Sequence, residues 1–116
     1  MEKIPSVIRE YVWRRDHGKC RICGSPADDV HHIFSRRANI PKHLGVPETK
    51  KNHHPLNLIA VCRSCHSRIH NTGMPRETKE VFIKANQSLS YIHFDDALEK
   101  HVKDVLEELS VEDVRT

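Results

Sequence analysis

All four cysteines of the chain fall in two short pairs, Cys20-Arg21-Ile22-Cys23 and Cys62-Arg63-Ser64-Cys65, with 38 residues between the pairs. Two Cys-x-x-Cys knuckles of this kind match a tetrahedral zinc site in which four thiolates fill the coordination sphere. A closed sphere ties distant stretches of chain together and does no chemistry. Chemistry falls instead to the residues around it: His31, His32, Asn57, His66 and His70. A mixed site of Cys62, Cys65, His66 and His70, as in a zinc finger, competes for the same histidines but strands Cys20 and Cys23.

Size explains the need for such a knot. At 116 residues the chain is one domain, or one domain with an appendage, and only 37% of it is hydrophobic and 5% aromatic. The core is thin, and structural zinc contributes an apparent ~10–16 kcal/mol in small modules. Unpaired thiolates fit a reducing compartment better than a secreted disulfide framework. With no run of ~20 apolar residues and no apolar segment after Met1, a cytoplasmic, non-membrane protein is expected. Charge is uneven: residues 1–76 carry 14 Lys/Arg against 6 Asp/Glu, and residues 77–116 carry 5 against 10. A basic, metal-bearing half at +8 points to a polyanion such as nucleic acid, and the acidic tail at −5 does not.

Ile4, Val7, Ile8, Tyr11 and Val12 recur at helical spacing, so residues 5–16 read as an amphipathic helix that starts at Pro5 and stops at Gly18. Residues 30–34 and 56–61 are β-prone. Residues 35–54, with Pro41, Gly45 and Pro47, read as a long loop. A helix starts at Cys62 and runs to about His70, stopped by Gly73 and Pro75. Residues 77–87 form another, and Asp96 with Glu99 resembles a capping box for a last helix to about Leu109. Leu98, Val102, Val105 and Leu109 suit core packing better than a dimer seam, so a monomer is favoured.

His66 and His70 stand i, i+4, so both rings leave one helix face and can bind one ion. Cys65 lies about 100° around the axis from His66. One short helix therefore offers Cys65 to the structural zinc and two imidazoles to a second metal. His31 and His32, adjacent on a strand, would point to opposite faces unless the strand ends, twists or bulges there. Such an irregularity is expected.

The run Arg15-Asp16-His17-Gly18-Lys19-Cys20-x-x-Cys23-Gly24, then His31-His32-Ile33, then Asn57-Leu58-Ile59-Ala60-Val61-Cys62-x-x-Cys65-His66-x-x-x-His70 resembles the HNH (His-Asn-His) endonuclease family, in particular its small zinc-knuckle members of bacteria and phages, which implies a bacterial or phage origin. The resemblance covers about residues 7–71. It implies an α+β fold with a ββα-metal (His-Me finger) core, Cys₄ zinc knuckles and flanking N-terminal and C-terminal helices. It also implies metal-dependent hydrolysis of DNA phosphodiester bonds, in duplex DNA for preference. Carried over by position, His32 is the general base, Asn57 orients the loop that holds it, and His31, His66 and His70 hold the catalytic metal. A histidine with a pKa near ~6.5 can take a proton from water at neutral pH. Three imidazoles prefer Zn²⁺, Ni²⁺, Co²⁺ or Mn²⁺ over Mg²⁺, and the activating ion stays open among these five.

The stretch between His32 and Asn57 is longer than in compact relatives and carries Arg36, Arg37, Lys42, Lys50 and Lys51 against Glu48 alone. It reads as a loop contacting the DNA backbone, chiefly through Arg36, Arg37, Lys50 and Lys51, with Arg68 on the helix as a product-phosphate candidate. His53 and His54 read as solvated loop residues that could compete as ligands. The division expected is a nuclease domain over residues 1–76 and an acidic helical extension over 77–116 packed on it. The rival readings are a non-catalytic zinc-stabilised nucleic-acid-binding module and a docking component of a phage or restriction assembly.

Overall fold

The structure, a computed structural model, describes residues 4–35, 39–49 and 52–110. It combines helices with a small two-stranded antiparallel sheet. In chain order the elements are α1 (Ser6–Arg15), β1 (Asp29–His32), β2 (Leu58–Val61), α2 (Arg63–Thr72), α3 (Arg76–Leu89) and α4 (Asp96–Leu109), with single 3₁₀ turns at Lys42–Leu44 and Pro55–Asn57. None of the described helices is long and apolar enough to cross a membrane.

Helix α1 begins after Pro5, whose carbonyl accepts from the N–H groups of Ile8 and Arg9. It ends where His17 and Gly18 both turn left-handed and the Gly18 N–H returns to the Trp13 carbonyl at 2.9 Å. A Cβ at Gly18 would stand 3.1 Å from the Trp13 ring nitrogen, so both backbone angle and space call for glycine.

The sheet pairs Asp29 with Val61, Val30 with Ala60, His31 with Ile59 and His32 with Leu58. Alternation gives Asp29, His31, Ile59 and Val61 one face, and Val30, His32, Leu58 and Ala60 the other. All four residues of β2 are buried, which explains its unbroken apolar run. Ile59 and Val61 join Ile33, Phe34, Leu44, Ile83 and three of the cysteines in one apolar cluster. Val30 and Leu58 join Ile4, Val7, Ile8 and Val12 of α1 and Leu98 and Val102 of α4 in a second. A two-stranded sheet is marginal alone, and here it is covered on both faces.

A buried ionic network locks β2 in place. Asp16, its side chain fully buried, accepts from Arg15 Nε at 2.8 Å, Arg21 Nη1 at 3.0 Å and the Ala60 N–H at 3.0 Å. Arg15 also donates to the carbonyls of Pro55 and Leu58 at 2.9 and 2.6 Å. Asn86 of α3 accepts from Arg21 at 2.7 Å and donates to the carbonyls of Leu56 and Leu58. The Asp16 of the sequence motif is thus an internal counter-ion, and its partners come from α1, the first knuckle and β2.

Two elements differ from the sequence reading in detail. The last helix is capped by Asp95, whose carboxylate accepts from the Leu98 N–H, while Glu99 accepts from the N–H groups of Phe94 and Asp95. The capping residue therefore stands one place before Asp96. Strand β1 stays in regular register through His32 and then ends, without a bulge.

Candidate metal centre and histidine cluster

The first cysteine pair sits in a turn tied to β2 by the Arg21 N–H donating to the Ala60 carbonyl at 2.9 Å. Gly24 closes it with φ +83°, its N–H reaching the Cys20 carbonyl. The second pair straddles the start of α2, where Cys62 is the capping residue and its sulfur accepts from the Cys65 N–H. One ligand atom from each of the four cysteines lies within 4.8 Å of the other three, and the Cys23 and Cys62 sulfurs are 3.6 Å apart. A tetrahedron with Zn–S bonds of ~2.3 Å has edges of about 3.8 Å. The four sulfurs therefore cluster where they could bind a metal ion such as zinc. Bonds from Ser25 hold the Cys23 thiol down at about 6, whereas burial pushes Cys65 up to about 12. Four neighbouring thiols do not ionise together unaided, and a cation in their midst removes that obstacle.

A second group forms on an adjoining face of α2, about 100° around the axis from Cys65. His31 points from β1 toward His66 and His70, its ring centroid 5.1 and 6.2 Å from theirs. The Nε2 atoms of His66 and His70 are 3.1 Å apart. Two nitrogens each ~2.0–2.1 Å from one ion stand about 2.8–3.4 Å apart for bond angles between octahedral and tetrahedral, so the pair fits a shared ion. The Nδ1 of His66 lies 3.4 Å from Asp29 Oδ2, the outward carboxylate contact that orients a ligating imidazole. Asp29 is steadied by Arg9 at 3.4 Å. Burial, then the charges of His66 and His70, push His31 down to about 4, so it is a neutral donor at neutral pH.

His32 does not enter this group. Regular strand alternation turns it away from His31, and its Nε2 lies 3.1 Å from Nδ1 of His53. Burial, with His53 adding, pushes His32 down to about 4. The expectation of solvated His53 and His54 fails: His53 is 1% exposed, and His54, pushed down to about 4 by burial, accepts the Leu56 N–H on Nδ1. The loop folds back here because Asn52, with φ +64°, donates to the Phe34 carbonyl, and Asn57 grips both strands of the bend. Asn57 is fully buried: it accepts from the Phe34 N–H at 2.9 Å and donates to the carbonyls of Phe34 and Asn52 at 3.0 and 3.3 Å. It fixes the backbone just past His32.

Arg68 lies two residues from each of His66 and His70, about 200° around the helix. It lines a small hollow with Ile22, Cys65, Ile69 and Thr72, away from the imidazoles. Arg36, Arg37, Lys50 and Lys51 lie outside the described residues. Sequence reasoning missed Asp29, His53 and Lys79. Lys79 sits 5.1 Å over the Phe34 ring, and its charge is felt at His31. Only the closeness of Asp29 to His31 in strand period gave any signal for one of these three.

A mitochondrial DNA mismatch repair protein mutS homolog of Sarcophyton glaucum is 36% identical to the chain over 78 residues, which is 60% of this chain and 7% of that protein. The chain thus spans a small fraction of the relative it matches. No solved structure matches it significantly. The family model for HNH endonuclease matches residues 20–72, from the first knuckle to the end of α2, and so takes in both cysteine pairs, His31, His32, Asn57, His66 and His70. Residues 20–72 thus match the HNH endonuclease domain, and the clustered cysteines fit a zinc-knuckle variant of it.

Proposed function

We propose that the chain is a metal-dependent endonuclease that hydrolyses phosphodiester bonds of duplex DNA, with a ββα-metal core built from β1, β2 and α2. The observation that carries this reading is the facing of His31 with His66 and His70 across the sheet–helix boundary, inside the segment matched by the family model. These three imidazoles would hold a divalent ion, Zn²⁺, Ni²⁺, Mn²⁺, Co²⁺ or Mg²⁺, which supplies Lewis-acid polarisation of the phosphate when bound. Cys20, Cys23, Cys62 and Cys65 would hold a structural zinc that keeps α2 and its histidines against the sheet.

His32 is the general base. Burial keeps it neutral, with a lone pair available, and an approaching phosphate diester raises its pKa toward the working range. It takes a proton from water as the water oxygen attacks phosphorus and the P–O3′ bond breaks; the departing 3′-oxygen picks up a proton from solvent and His32 later returns its own to solvent, giving 5′-phosphate and 3′-hydroxyl ends. Asn57 holds the chain beyond His32 so that the ring returns to one position. Residues 1–76 would carry the nuclease, with Arg36, Arg37, Lys50 and Lys51 as its candidate contacts to the DNA backbone, and residues 77–116 would be the extension. DNA as partner is in keeping with the family and with the name of the mismatch-repair relative.

The charge of +8 over residues 1–76 would equally serve a non-catalytic binding module, and plasmid nicking separates the two. The protein should convert supercoiled plasmid in the presence of a divalent ion, and EDTA should stop it. His32→Ala should keep the fold and lose at least about 100-fold in rate. A folded, metal-replete protein that leaves the plasmid intact would overturn the nuclease reading in favour of the binding module.

A further inference from the structure

We propose that His53 is a positioning residue for His32, fixing by a ring-to-ring hydrogen bond which nitrogen of the base faces water. The inference rests on the reading of His32 as general base and adds a residue to that machinery.

A neutral imidazole has one N–H and one lone pair. The Nε2 of His32 lies 3.1 Å from Nδ1 of His53, so one of these atoms donates and the other accepts. If Nε2 of His32 were the acceptor, its only lone pair would be occupied and no basic nitrogen would be left. A working base therefore carries its proton on Nε2, donates it to His53 Nδ1, and presents the Nδ1 lone pair. His53 is in turn the Nε2–H tautomer. When His32 takes a proton from water, Nδ1 gains the hydrogen and the Nε2–H bond to His53 persists, so no second proton has to move.

The surroundings are built to hold this pair. His53 is 1% exposed and cannot swing away into solvent. Its neighbour Asn52 donates to the carbonyl of Phe34, two residues beyond His32, and Asn57 bonds both Phe34 and the Asn52 carbonyl. One buried asparagine thus fixes the segment carrying each histidine relative to the other. A hydrogen bond that sets tautomer and ring orientation needs that constancy.

The test uses the full-length, zinc-loaded protein and two variants. His53→Asn keeps an acceptor oxygen near the place of Nδ1, and His53→Leu removes it. Nitrogen-15 NMR of the histidine rings should show His32 as the Nε2–H tautomer in the wild type and in His53→Asn, and a mixture in His53→Leu. Plasmid cleavage should fall about 10- to 100-fold in His53→Leu, the range for orienting partners, and His53→Asn should recover most of it. An Nδ1–H tautomer of His32 in the wild type, or His53→Leu with unchanged tautomer and cleavage, overturns the proposal. If His53→Leu does not fold, an Nδ1–H tautomer or a failed rescue in His53→Asn overturns it equally. A wild type with the expected tautomer but no cleavage would refute the nuclease reading and leave the hydrogen bond standing.

Discussion

At the scale of single residues, Asp16 is where the fold is most exposed to damage. Its carboxylate lies between two guanidinium groups and a β2 N–H, with none of it open to water. A buried pair of this sort adds little net stability, yet removing one member leaves the others charged and unmatched. Asp16→Ala should therefore destabilise the protein by about 3–5 kcal/mol, seen as a lowered midpoint in urea with little change in slope. A midpoint within error of wild type would show the arginines to be solvated. The cysteines and the helix histidines were legible in the sequence, because their spacing alone prescribes a geometry. Asp16 stood in the motif, but its role did not, since its carboxylate meets the Ala60 N–H 44 positions away. His53 was hidden for the same reason, because its partner lies 21 positions earlier and nothing local distinguishes it from a loop histidine.

Among the elements, the helices were readable to within a few residues and the strands to their cores, since apolar period and caps are local signals. The joint before α4 was read one residue off, because Asp95 and Asp96 are equally good caps and only the contact of Asp95 with Arg14 at 2.9 Å decides between them. This joint carries a pH dependence. His93 and Glu99 are 2.6 Å apart, and that bond raises His93 above its ordinary 6.5 while holding Glu99 below 4.5. The His93 contribution is whole below pH 6.5 and is lost as pH rises through its raised value. That of Glu99 is whole above pH 4.5 and is lost as pH falls through its lowered value. The turn should hold best between the two. NMR titration should place His93 above 6.5, and Glu99→Gln should return it there; a His93 indifferent to that change would mean the pair does not form.

The molecule as a whole depends on elements beyond the matched segment. Ile83 and Asn86 of α3 lie within the cysteine-side cluster and the ionic network, whereas α4 covers only the α1 side of the sheet. Removing residues 91–116 should expose Ile4, Val7, Ile8 and Val12, with about 1.5–3 kcal/mol lost for each of Leu98 and Val102, and leave zinc content unchanged. Removing residues 77–116 should cost the fold itself. Thermal melting with zinc analysis checks both, and a chain ending at residue 76 that melts like the full protein would show α3 to be dispensable. Arg21 stands between the two thiols of its own knuckle and, through one guanidinium nitrogen, bonds both Asp16 and Asn86. Over many generations positions 16, 21 and 86 are consequently not free to drift singly: a chain that loses the arginine at 21 strands a carboxylate and an amide together, so lineages that replace one of the three should carry changes at the others.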